Sequence, residues 1–223
     1  NLPGSPVGSM LHTQPTRAPA PSPGPIQPPE ADFDRAMNYY ADYSGCGHWR
    51  MIWPENILNA QQKMVMHGTT MMILDERYYQ HTKSVRVQRQ ATVHQLQFMK
   101  FLKSIQSKYG FHIVYDIDDI VFHEDIPDYN KFKSAFVNPQ IRESACEIMK
   151  LCDEITVTNK FMKDYYMSKT DNKNITVIPN YPPKWWMGNY YSEAQVARNY
   201  HKHRQKPRII YPASGAHFDV DNR

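Results

Sequence analysis

The stretch Gly110 to Asp125, GFHIVYDIDDIVFHED, ends a greasy run in three carboxylates within four positions, Asp116, Asp118 and Asp119. Carboxylates this close repel one another, so a chain keeps them together to bind something or to hold a loop. They can bind acceptor hydroxyls or orient an arginine such as Arg50. One of them becomes a base if a neighbour raises its pKa. Asp116 and Asp118 also form a D-x-D pair, and oxygen ligands of that kind suit Mg²⁺ or Mn²⁺. Two arginines, Arg50 and Arg89, can pair with a phosphate or with these aspartates, and an exposed ion pair contributes little. Gly45 and Gly47 let the backbone approach a phosphate at the start of a helix. A tight turn accounts for a lone G-x-G equally well.

Alternating elements must position these residues. AMNYYADYSGCGHWRMIWP reads as a short strand, a glycine-containing turn and a helix start. SVRVQRQ, from Ser84, alternates Val85 and Val87 with polar residues, which predicts a strand. Val93, Leu96, Met99, Leu102 and Ile105 recur at helical spacing with Lys100, Lys103 and Lys108 off the stripe, and Gly110 stops that helix. The strand of the opening quotation follows. Ile141, Ala145, Ile148, Met149 and Cys152 make a second helical stripe. EITVTN from Glu154 is a strand, KFMKDYYMSK a short helix and NITVIPN from Asn174 another strand. A polar, helical stretch from Ser192 to Gln205 leads into a last strand, KPRIIYPAS from Lys206. Strands alternating with helices predict an α/β fold, a Rossmann-like parallel sheet flanked by helices with right-handed crossovers.

In such a sheet, ligands sit outside the carboxyl ends of the strands. Asp116, Asp118 and Asp119 lie at one such end, Thr158 and Asn159 at another, Asn180 and Ser214 at two more. For Asn159 and Ser214 the simpler reading is a cap on the helix that follows. His217, in SGAHFD, belongs to the same rim. Trp185 and Trp186 follow two prolines and read as hinge packing. The HKH run from His201 is too isolated to read as a site.

The rest of the chain sets limits. With 26 basic and 22 acidic residues the net charge is +4, too mild a balance to diagnose nucleic-acid binding. A hydrophobic share of 41% supports a real core. The three cysteines, Cys46, Cys146 and Cys152, form no C-x-x-C pair, which points to a reducing, cytoplasmic setting. No run suggests a membrane span or signal peptide. Residues 1–31 hold nine of the 17 prolines and read as a flexible arm, with residues 1–9 as a non-native leader ahead of Met10. Residues 32–190 form the Rossmann domain. Residues 191–223 hold a linker helix and the start of a second one.

Several of these stretches together resemble one family. LCDEITVTNKFMKDYYMSKTDNKNITVIPN is similar to the end of the N-terminal domain in GT-B glycosyltransferases, above all the retaining group that includes sucrose and glycogen synthases. Cys152-Asp153, Ile155 to Thr158, Tyr165 and Ile175 to Asn180 stand in the family's order. YSGCGHWRMIWP resembles its first glycine-rich loop, followed by Arg50. VYDIDDIVF resembles the strand of phage and bacterial members, and PRIIYPASGAHFD the start of the second Rossmann domain. The resemblance spans residues 36–219. It implies transfer of a sugar from a sugar nucleotide, with no other cofactor and no metal. Asp116, Asp118 and Asp119 would be catalytic, and Gly45, Gly47, Arg50, Arg89, Asn180, Ser214 and His217 would contact donor or acceptor. The acceptor would be a glycan or, as in some phage members, a modified DNA base. The family's donor-binding loops and paired-glutamate motif lie further on than Arg223, so the resemblance implies a missing C-terminal domain.

Two rival readings stand beside it. IVYDIDDIVF also resembles the first motif of haloacid-dehalogenase phosphatases, with Asp116 as nucleophile, Asp118 as acid/base and Mg²⁺ between them. Against that, Ile120 replaces the expected Thr or Val, and strands precede a motif that usually opens its domain. Alternatively the chain is an interaction or structural module that kept the fold without the reaction.

Overall fold

The computed structural model describes residues 34–62, 64–182 and 192–203. The proline-rich arm, Trp185, Trp186, the strand expected from Lys206, Ser214 and His217 lie outside the described residues.

Six strands build one sheet: β1 (Arg35–Tyr39), β2 (Val65–Thr69), β3 (Thr82–Gln88), β4 (His112–Asp116), β5 (Glu154–Val157) and β6 (Ile175–Val177). Every pairing is parallel, in the order β2-β1-β3-β4-β5-β6. The expected Rossmann-like α/β architecture is therefore present. The sequence reading did not find β2. It is an edge strand, Val-Met-His-Gly-Thr, half open to solvent and without apolar alternation.

Side chains alternate across each strand. Met37, Tyr39, Val85, Val87, Ile113, Tyr115, Ile155 and Val157 share one face and belong to the core. On them pack α3 (Val93–Tyr109) through Phe98, Met99, Leu102 and Ile105, and α4 (Pro139–Leu151) through Ala145, Ile148 and Met149. The α5 helix (Lys160–Lys169) adds Met162 and Tyr166. Local signals set these boundaries. Thr92 and Gln95 form a reciprocal capping box at the start of α3. Gly110 ends that helix at φ 73°, a left-handed position that costs glycine nothing. Asn138 caps α4 and Asn159 caps α5. A further helix, α6 (Glu193–His203), matches the polar stretch expected from Ser192. Among the described residues, no helix is long and apolar enough to cross a membrane.

The opposite face is polar. Asn38, Arg86, Gln88, Asp116 and Thr156 are linked by register across four strands, Asn38 beside Arg86, Gln88 beside Asp116, Asp116 beside Thr156. The β1-to-β2 connection runs toward one edge, while β3, β4, β5 and β6 progress toward the other. Crossovers of one hand then place the first helical segment on the polar face. That segment is continuous through α1 (Gly45–Gly47), a wide π turn (His48–Ile52) and α2 (Trp53–Ala60). Pro54 has no N–H to return to the Arg50 carbonyl, and its ring crowds that turn, so the helix widens just before it.

Gly47 fixes how this segment leaves β1. A Cβ there would stand 2.0 Å from the Asp42 carbonyl oxygen, whereas one at Gly45 would meet nothing within 4 Å. Gly47→Ala should therefore destabilise the protein by about 1–3 kcal/mol through overpacking. Gly45→Ala should be neutral or stabilising by up to about 1 kcal/mol through helix propensity. Urea denaturation of the two variants checks the contrast; equal midpoints would contradict it.

Candidate functional site

β1 and β3 are the neighbours from which successive connections run in opposite directions. In a doubly wound sheet of this order, the crevice outside their carboxyl ends is where ligands bind. The residues singled out from sequence can be placed around it.

Asp116, the last residue of β4, is 0% exposed and saturated. Its Oδ2 accepts from Arg50 Nε at 3.0 Å. Its Oδ1 accepts from Arg50 Nη2 at 2.6 Å, Arg86 Nη2 at 2.6 Å and Thr156 Oγ1 at 2.5 Å. Burial pushes its carboxyl up, but Arg86, Arg50 and Thr156 together hold it below the usual range. Arg50 is 2% exposed and sits inside the π turn. Its remaining Nη1 donates to the Ile178 carbonyl and to Asn180 Oδ1, the latter at 3.1 Å. Both groups expected to bind ligand, Arg50 and Asn180, thus engage each other. Together they tie the helix to the chain leaving β6.

Arg89 follows β3 with φ 47°. A left-handed conformation at a residue with a side chain costs on the order of 1–2 kcal/mol. Its backbone N–H donates to the Asp116 carbonyl at 2.8 Å. Its guanidinium bridges Asp42 Oδ2, at 2.6 Å, and Asp119 Oδ2. Asp42 in turn accepts from the Ser44 amide at 2.7 Å and the Ser44 hydroxyl at 2.5 Å. Burial raises the Asp42 carboxyl, and Ser44 and Arg89 outweigh it, so its pKa falls below the usual value.

Asp118 differs from its neighbours. Among the described residues, its buried Oδ1 accepts no hydrogen bond. Burial, then the charge of Asp119, push its carboxyl up, against a hydrogen bond from the Cys46 thiol and the pull of Arg89. Cys46 lies between the two acids, its Sγ 4.0 Å from Asp119 Oδ2. Burial, Asp118 and Asp119 push that thiol up to about 12, so it stays protonated at neutral pH.

One ligand atom each from Cys46, Asp118 and Asp119 lies within 4.8 Å of the others. The set does not fit Mg²⁺ or Mn²⁺, which take oxygen ligands rather than a thiol. Arg89 already neutralises Asp119, and Asp116, the other half of D-x-D, is turned onto Arg50 and Arg86. We assign no metal here.

The remaining expectations resolve individually. The close approach that Gly47 permits is to Asp42, and Gly45 has open space beside its Cα. Asn159 accepts from the Met162 amide at 2.9 Å and is a helix cap. Thr158 accepts from the Asn159 side chain at 3.2 Å. Sequence reading missed Asp42, Arg86, Gln88, Cys46 and Thr156. For Arg86 and Gln88 the signal was present. The alternation that sent Val85 and Val87 to the core places both polar neighbours together on the other face. Gln88 is fully buried, and its Oε1 accepts from the Ala41 amide at 3.1 Å, joining the ends of β1 and β3.

No protein-family model matches this chain, and no curated protein sequence does.

Removing one partner from the buried cluster leaves uncompensated charge. Asp116→Asn should destabilise the protein by about 3–5 kcal/mol at pH 7, read by urea denaturation. Because the folded-state pKa of Asp116 is depressed, its contribution is present above the unfolded value of about 3.9 and is lost as pH falls through the folded one. The gap between wild type and variant should therefore narrow below about pH 4. A gap that stays constant down to acid unfolding would contradict the assignment.

Proposed function

We propose that this domain is the acceptor-side half of a GT-B-type glycosyltransferase that uses a sugar nucleotide as donor. The observation that carries the reading is the convergence at one rim. The ends of β1, β3 and β4 meet through Asp42, Arg89 and Asp119, and the chain leaving β6 joins them through Arg50 and Asn180. Such a rim suits a polyhydroxyl acceptor. It offers carboxylates and amides as hydrogen-bond partners, and a rigid frame fixes their geometry.

The arrangement favours this over a phosphatase. A nucleophilic aspartate needs a free oxygen facing substrate, and Asp116 is buried with both oxygens occupied. Arg50 is likewise committed to the protein, so the leaving diphosphate would be stabilised from the donor side of the cleft.

The test is transfer. The full-length gene product, given a panel of labelled sugar nucleotides with glycan and modified-base DNA acceptors, should release nucleoside diphosphate and label one acceptor class. That acceptor, at about 100 times its Kd, should also stabilise the present chain by about 2.7 kcal/mol in thermal unfolding. No transfer from any donor would overturn the reading and leave the non-catalytic module in its place.

A further inference from the structure

We propose that Asn59 closes the open edge of the sheet at β2 against a second copy of this chain. The sheet ends in β2 on one side and β6 on the other. An edge strand presents unpaired N–H and C=O groups on which another chain can build. β6 has only three residues, Ile175–Val177, and its shortness guards it. β2 has five, Val-Met-His-Gly-Thr, with neither lysine nor proline among them. Just past its carboxyl end stand Met71, Met72 and Leu74, all exposed. An open edge beside exposed apolar side chains is a site of self-association.

The register shows which backbone groups face outward. The Val65 amide donates to the Asp34 carbonyl at 3.2 Å, and the Thr69 carbonyl accepts from the Tyr40 amide at 2.9 Å. Val65, His67 and Thr69 therefore turn their backbone groups to β1, and Met66 and Gly68 between them turn theirs to the open side. Both groups of Met66 are taken. Its N–H donates to Asn59 Oδ1 at 2.7 Å, and its C=O accepts from Asn59 Nδ2 at 3.0 Å. The carboxamide stands where the peptide of a neighbouring strand would stand, with the same donor and acceptor. A left-handed turn follows Asn59 on the way to β2. Gln62 has φ 52°, and its N–H donates to the Asn59 carbonyl at 3.0 Å. That conformation costs folding free energy at a residue with a side chain. An antiparallel pairing of β2 with a second copy, two-fold about His67, needs the edge groups of Met66 and Gly68 in both chains. With Met66 filled, each copy offers one residue and no ladder forms.

Amide hydrogen exchange and sedimentation velocity of the full chain test this. In the wild-type protein the Met66 N–H, corrected for its intrinsic rate, should exchange about tenfold more slowly than the Gly68 N–H on the same edge. Asn59→Ala should bring the two rates together. It should also add species that grow with protein concentration from the micromolar range upward, which the wild type does not show. His67 is exposed on β2. Adding His67→Lys to Asn59→Ala should remove those species, because like charges would meet at the two-fold axis, while the Met66 amide stays fast. A wild-type Met66 amide as fast as that of Gly68 would overturn the proposal without any variant. So would an Asn59→Ala protein that adds no larger species. Self-association that the lysine leaves in place would also overturn it, since it would then arise from unfolding or from the apolar loop rather than from the edge.

Discussion

One buried carboxylate organises this molecule. Asp116 receives four hydrogen bonds, from Arg50, Arg86 and Thr156, at the point where β3, β4, β5 and the first helical segment meet. Taking an ion pair out of water costs several kcal/mol per ion, which the hydrogen bonds onto Asp116 offset, although Arg86 Nε finds no partner among the described residues. Here Arg50 spends its guanidinium on Asp116, Ile178 and Asn180. The consequence is geometric. The helix after β1 and the chain after β6 are fixed relative to the end of β4, and the loop Ile117 to Asp119 starts from a rigid point.

Around that anchor the charges are distributed unevenly. Arg89 satisfies Asp42 and Asp119 while holding a left-handed backbone, and among the described residues Asp118 beside them makes no ion pair. Strain, an unmatched buried oxygen and adjacent like charges all cost folding free energy. They occur together near the crevice where successive connections diverge. Elsewhere the domain follows local rules closely, with side-chain caps on α3, α4 and α5 and a contiguous apolar core on one face of the sheet.

The two faces divide the labour. The apolar face, under α3, α4 and α5, supplies most of the burial that stabilises the domain. The polar face carries Asn38, Arg86, Gln88 and Asp116 beneath the helical segment that begins at Gly45. An apolar layer there would pack as well. It would not hold a carboxylate loop at a set height above the sheet.

Periodicity in the sequence determined most of the fold. The α3 and α4 stripes, the strand alternation in SVRVQRQ and the Gly110 stop are local signals, and each element formed where its pattern lay. The parallel sheet followed from the alternation of strands and helices. β2 escaped because an edge strand needs no apolar repeat. The candidate aspartates were also legible, as residue types at the end of a strand. What each one does was not. Asp116, Asp118 and Asp119 look alike in sequence, and tertiary structure separated them by deciding which arginine each one meets. Arg50, Arg86 and Arg89 lie 66, 30 and 30 positions from their partners. Contacts at that separation are set by strand order and crossover direction, which no local pattern encodes.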